Sequence, residues 1–209
     1  MFYLTTIFAA LTGIGLLLTT LSTALTVVFR RRKGFFLRAS RPVDSHPFVS
    51  ILKPVCGVDD ELEENLESFT RLRGVRFELI ISAADDADPA LEVVERVRAA
   101  HPEVAWKIVV GGDPRLERWN RKVARLIAAE PHARGRILLI SDSNVRVECD
   151  DLARTIESFA EPSVGCVSNL FTGGGAASFG AVIESLHLLS FVAAGNVLAA
   201  FVRTPCVVG

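Results

Sequence analysis

From Phe2 to Phe29 the chain carries no charged residue, and Arg30-Arg31-Arg32-Lys33 follow at once. As a helix this run would span roughly 42 Å at about 1.5 Å per residue, ample for a hydrocarbon core of about 30 Å. A secretory signal has its basic residues ahead of a shorter apolar core; here they come after it. The positive-inside rule then sets the N-terminus outside and everything after Arg30 in the cytoplasm. Gly34-Phe35-Phe36-Leu37-Arg38 adds aromatics and another cation, as an interfacial segment beside anionic headgroups does. The expected division is a transmembrane anchor over residues 2–29, a basic juxtamembrane linker over 30–47 and one domain over 48–209.

The remainder of a 209-residue chain supplies one good core. Its 23 Lys and Arg against 24 Asp and Glu leave a net charge of −1, which excludes the basic footprint of a nucleic-acid binder. Cys56, Cys149, Cys166 and Cys206 are widely spaced, without CxxC or a nearby Cys/His pair. They read as small hydrophobes or thiols of a reducing compartment, neither a zinc site nor a disulfide framework.

Beyond the linker, apolar runs alternate with amphipathic stretches. Phe48–Leu52 reads as a strand ended by Lys53-Pro54, and Asp59–Leu72 as a helix with acids early and Leu62, Leu66 and Phe69 on one face. Phe77–Ser82 is a second strand. Pro89 suits the first turn of the helix that runs on to about Ala100. Val104–Val110 is a third strand, Asn120–Glu130 a helix, and Ile137–Ser141 a fourth strand. Its four consecutive apolar residues predict burial on both faces. Asp151–Phe159 reads as a helix and Val164–Ser168 as a further strand. Strands alternating with helices predict a parallel βαβ sheet covered on both sides.

Two of these strands run into acids: the second into Asp85-Asp86-Ala87-Asp88-Pro89, the fourth into Ser141-Asp142-Ser143. Ligands of open α/β sheets sit beyond the carboxyl strand ends, so these carboxylates are expected to converge on one cleft. A carboxylate that stays charged in a cleft calls for a cation, which makes Asp142 a candidate ligand for a divalent metal on a phosphorylated compound. A strand-end aspartate is also an ordinary turn or cap residue. Other phosphate cradles are missing: the sequence has no GxGxxG after a strand and no GxxxxGK[ST].

The order Val49-Ser50-Ile51-Leu52-Lys53-Pro54, Asp85-Asp86-Ala87-Asp88-Pro89, Asn120-Arg121-Lys122-Val123 and Ser141-Asp142-Ser143-Asn144-Val145-Arg146-Val147 resembles ceramide glucosyltransferases. It looks closer still to bacterial hopanoid-biosynthesis glycosyltransferases. The likeness covers nearly the whole chain, and four motifs in order are far more specific than any one. It implies an N-terminal transmembrane helix followed by a GT-A domain, a Rossmann-like α/β fold with a mainly parallel sheet, whose C-terminal half is missing here.

The resemblance assigns a nucleotide-sugar site to Lys53, Pro54, Asp85, Asp88, Lys122 and Asp142. Asp88 is the best match to the aspartate that binds the nucleotide of a UDP-sugar, with Asp85 in support. Asp142 matches the one that coordinates Mg2+ or Mn2+ on the diphosphate. Lys122 matches the lysine of an Asn-Pro-Lys-Val motif and would add positive charge near the pyrophosphate; by itself it would pass for a solvated helix residue. Lys53-Pro54 matches a loop that lies along the nucleotide. Arg121 replaces the usual proline, Ala124 a usual asparagine, and Cys56 a lysine common in the eukaryotic enzymes.

Ala181–Val202 is expected to be an interfacial or acceptor-facing helix in which His187 is structural. Thr204–Gly209 reads as the start of a strand. The family's third aspartate, the presumed general base, and its (Gln/Arg)-x-x-Arg-Trp motif would lie beyond Gly209. The catalytic residues are therefore not identified, and the 209-residue chain alone is expected to be inactive. The implied activity is inverting, metal-dependent transfer from a UDP-sugar to a lipid hydroxyl of ceramide or hopanoid type. It would take place at the cytoplasmic side of the inner (plasma) membrane. Competing readings are a related transferase acting on polyprenyl phosphate or polysaccharide, and an inactive truncated nucleotide-binding module.

Overall fold

A computed structural model of the chain describes residues 2–31, 47–59, 61–112 and 114–169, and beyond them 171, 173–174, 178–188, 192 and 195–196. The Pro-bracketed linker, most of the basic cluster and the strand expected at 204–209 lie outside the described residues. The chain divides into two compact units, residues 39–157 and residues 1–38 with 158–209.

In the second of these units, Phe2–Arg31 forms α1, a single helix of 30 residues. The hydroxyls of Thr12, Thr19, Thr20 and Thr23 each donate to the carbonyl four residues earlier, at 2.7–2.8 Å. Among the described residues no helix is long and apolar enough to cross a membrane. The transmembrane anchor expected over residues 2–29 falls on α1 and is not shown by it.

The α/β unit is built on a four-stranded parallel sheet: β1 (Val49–Pro54), β2 (Phe77–Ala83), β3 (Ala105–Val110) and β4 (Ile137–Ile140), in the order β3-β2-β1-β4. All six residues of β1 are buried, as a central strand covered on both faces requires. One face is covered by α2 (Leu62–Thr70) and α3 (Ala90–Ala100), where Leu62, Leu66, Val94 and Val97 meet Ile81 and Val55. On the other face, α5 (Arg121–Ala129), entered through the short α4 (Pro114–Glu117), packs Ala129 against Leu52, Ile80 and Val109. The first two crossovers step from β1 to β2 to β3, and the third returns past them to put β4 on the other side of β1. That reversal makes the carboxyl ends of β1 and β4 the switch point of the sheet, where open α/β folds bind their ligands.

At the opposite, amino end, Glu78 is buried and ties the first strands to the segment before β4. Ser50 Oγ donates to it at 2.6 Å, the Arg134 amide at 2.8 Å, and the Arg134 guanidinium pairs with it at 2.7 Å. Gly135 passes so close to β1 that a Cβ would collide with the backbone of Ser50, and its amide donates to Ser50 Oγ at 2.8 Å.

Two expectations need correction. β4 is not buried on both faces. It is an edge among the described strands, and Leu138 and Ile140, 43% and 55% exposed, lie on the face where α5 packs over Leu52, Ile80 and Val109 of the other three strands. Val164–Ser168 forms no strand; those residues are irregular, without ladder partners, after α6 (Asp151–Glu157) and a single 3-10 turn. In the other unit, α7 (Phe179–His187) is capped by Ser178, whose Oγ accepts from the Ala181 amide at 3.2 Å. It exposes Phe179, Ile183 and Leu186.

Candidate functional site

The site begins at the end of β1. Strand alternation turns Leu52 toward α5 and Lys53 toward α2, where its ammonium sits 4.2 Å from the centre of the Phe69 ring. Lys53 is fully buried. Its Nζ donates to the Asp142 carbonyl at 2.5 Å and the Val145 carbonyl at 3.4 Å, and lies 3.5 Å from Ser141 Oγ. Burial pushes the Lys53 ammonium down to about 7, against the opposite pull of the Asp142 charge. Pro54 is buried and ends the strand, and the Val55 amide carries the pairing on to Ser82.

From the other side of the switch point comes the turn after β4. The Ser141 amide bonds to the Leu52 carbonyl at 3.1 Å, so Asp142 leaves the sheet directly beside Lys53. Asp142 Oδ1 pairs with Lys122 Nζ at 2.7 Å, both side chains being partly exposed. Lys122 lies in the first turn of α5, which Asn120 caps by accepting from the Val123 amide at 3.1 Å. Ser143 Oγ donates to the Asp59 carboxylate, and Asn65 Nδ2 to the Ser143 carbonyl at 3.4 Å. The β4 turn is thereby bound to both the loop after β1 and α2.

The acids after β2 have a different employment. Asp88 Oδ1 accepts from the Gly57 amide at 2.9 Å and the Ala90 amide at 3.0 Å, so it ties the β1 loop to the start of α3. Gly57 has φ of 66°, in the left-handed region where glycine is at ease. Asp85 Oδ1 accepts from the Ala87 amide at 2.9 Å and closes its own exposed turn. Thus Lys53, Pro54, Lys122 and Asp142 gather at the switch point, Asp88 reaches it through Gly57, and Asp85 holds a turn.

Sequence reasoning missed Arg125. It is buried, with Nη1 donating to the Val55 carbonyl at 2.8 Å. A cation among the apolar positions of a helix was the available signal.

With Lys122 paired to the Asp142 carboxylate, Lys53 beneath the Asp142 backbone carbonyl and Arg125 behind the β1 loop, this end of the sheet suits an anion that brings its own counter-cation. Asp142 meets Lys122 through Oδ1, and its side chain is 42% exposed. One carboxylate supplemented by phosphate oxygens and water is a donor set that Mg2+ and Mn2+ accept. A second acidic group, Glu148, Asp150 and Asp151, fits less well: the Arg154 guanidinium already pairs with all three at the surface. Two cavities lie elsewhere, one between α2 and α3 around Glu63, Glu92 and Arg96, the other beside Glu78, Trp106 and His132.

Comparison with known proteins sets the chain among sugar transferases. The family described as Glycosyl transferase family 21 matches residues 5–209. Ceramide glucosyltransferase 1 of Caenorhabditis elegans is 37% identical over 120 residues, 56% of this chain and 25% of that protein. The ceramide glucosyltransferase of Komagataella phaffii is 31% identical over 112 residues, 53% of this chain and 22% of that protein. The matched stretches thus span about a quarter of these relatives' length. Among solved structures, the mannosyltransferase PcManGT from Pyrobaculum calidifontis, in complex with GDP-Man and Mn2+, superposes with a TM-score of 0.52 at 24% identity. The superposition covers 75% of this chain and 47% of that one, which is a likeness of fold.

Proposed function

The chain belongs to glycosyl transferase family 21, and on that premise we propose that it binds a UDP-sugar at the carboxyl ends of β1 and β4. The sugar would pass, with inversion, to a lipid hydroxyl of ceramide or hopanoid type. The observation that carries this reading is the Lys122–Asp142 pair at the switch point, 2.7 Å apart and partly open to solvent. The names of the ceramide glucosyltransferase relatives support the lipid acceptor.

In this reading Asp142 holds Mg2+ or Mn2+ through its carboxylate; PcManGT, whose structure contains Mn2+, is a neighbour in fold. When bound, the cation supplies charge neutralisation on the leaving diphosphate. Lys122 adds positive charge at the N-terminus of α5, where helix amides also favour an anion. Lys53 and Pro54 lie buried beneath the site and support the turn that carries Asp142. Asp88 keeps the Gly57 loop in the shape against which the nucleotide lies, with Asp85 ordering the turn before it.

The reading also takes α1 as a membrane anchor with the α/β unit on the cytoplasmic side of the inner (plasma) membrane. Its support is the uncharged run from Phe2 to Phe29 ahead of four basic residues. The threonine hydroxyls bonded back to the helix backbone fit the same reading, because that pairing lowers the cost of a polar group in lipid.

Calorimetric titration of the full chain with UDP, UDP-glucose and GDP in the presence of Mn2+ tests the donor assignment. The uridine compounds should bind and GDP should bind at least about tenfold more weakly, a discrimination of about 1.4 kcal/mol. Equal affinity for UDP and GDP, or no binding of either, would overturn it.

A further inference from the structure

We propose that Lys53 is a positioning residue: its buried ammonium clamps the turn after β4 from beneath and thereby sets the Asp142 carboxylate, without itself touching the donor. This rests on the donor-site reading above and departs from it on one residue, since the resemblance has Lys53-Pro54 lying along the nucleotide.

The geometry separates the two roles. A lysine poised to contact a diphosphate without rearrangement presents its side chain to solvent in the unliganded protein, as the partly exposed Lys122 does. Lys53 has no exposed surface. Its three donors are directed at the Asp142 carbonyl, the Val145 carbonyl and the Ser141 hydroxyl, all in the one turn that carries Asp142. The Phe69 ring closes the remaining side at 4.2 Å and stabilises the cation through its π face.

Removing the ammonium takes a donor from the Val145 carbonyl and the closest one from the Asp142 carbonyl. The Asp142 carbonyl is then left with two longer contacts, the Val145 amide at 3.3 Å and Ser141 Oγ at 3.4 Å. Underbonded carbonyls beneath a turn are costly enough to make it rearrange. The Asp142 side chain belongs to the same residue as the carbonyl Lys53 grips most closely. Groups that orient a metal ligand from behind change metal affinity by about 10–100-fold when mutated.

Two experiments on the full chain decide it. Lysine acetylation by an N-hydroxysuccinimide ester, read by mass spectrometry, should leave Lys53 unmodified with or without UDP and Mn2+. Lys122 should be modified in the bare protein and shielded by the ligand. Modification of Lys53 at a rate similar to that of Lys122 would overturn the proposal. If UDP shields neither lysine and does not bind, the donor reading fails, while the protection of Lys53 in the bare protein still stands as its own result.

The second experiment is a double-mutant cycle. Lys53→Met should weaken Mn2+-dependent UDP binding about tenfold or more in the otherwise native chain, but no more than about twofold when Asp142 is already Asn. A direct phosphate contact would give the same factor in both backgrounds, and that result, or no effect in either, would overturn the proposal. Thermal melting checks that the variants fold. Should Lys53→Met not fold, the acetylation pattern decides alone.

Discussion

Lys122 and Asp142 are joined by a short but solvent-accessible ion pair. Exposed pairs contribute roughly 0–1 kcal/mol to stability, so Lys122→Ala should leave the melting temperature nearly unchanged. In the donor reading the same substitution removes a phosphate-facing charge, and UDP affinity should fall about tenfold with a shallower salt dependence. Calorimetry at two ionic strengths checks both effects. Asp88 is the converse case. Its Oδ1 satisfies two backbone amides, so Asp88→Ala should cost roughly 1–3 kcal/mol in chemical denaturation, with Asp85→Ala costing clearly less. At this scale the place of the acids beyond the strand ends was legible, because an acid after an apolar strand has few places to go. The sequence did not reveal which way a side chain faces. The resemblance lays Lys53-Pro54 along the nucleotide, yet the Lys53 side chain is enclosed, and so is Arg125, which the sequence pattern does not single out.

Elements were legible where amphipathic period and length agreed. Leu62, Leu66 and Phe69 predicted the buried face of α2, and the four strands of the parallel sheet lie close to their expected places. The failures concern neighbours that local pattern cannot supply. A short apolar run does not by itself distinguish a central strand from an edge. Leu138 and Ile140 are as apolar as any central strand residue, yet β4 has a described partner on one side only. The Glu78 network at the other end of the sheet sets a pH response. Burial alone would raise the Glu78 carboxyl, but hydrogen bonds from Ser50 and Arg134 and the Arg134 charge outweigh it and hold the group below its ordinary 4.5. The unfolded chain takes up that proton first as pH falls. The stabilisation is therefore complete above about pH 4.5 and is lost as pH drops through the lower value of the folded state. Glu78→Gln should flatten the fall in denaturation midpoint that the native chain shows on acidification below about pH 4.5, and an unchanged slope would contradict this.

For the molecule as a whole, an α/β unit that we read as binding the donor shares its chain with a helix that we read as a membrane anchor. In that reading the chain should remain with the membrane pellet after alkaline carbonate extraction, and replacing Leu16 and Leu17 by Asp should release it. The family relationship was legible from four short motifs in order, although the matched stretches cover only about a quarter of the relatives' length. Those motifs mark strand ends and a helix start, the positions that build the switch point, and for that reason they outweigh composition or overall likeness. The central claim is that Asp142 binds the donor diphosphate through a divalent cation. UDP affinity measured with Mn2+ and with chelator, in the native chain and in Asp142→Asn, tests it most directly. Mn2+ should strengthen UDP binding at least about tenfold in the native chain, or about 1.4 kcal/mol, and have little effect in the variant. An equal Mn2+ enhancement in both proteins would contradict it.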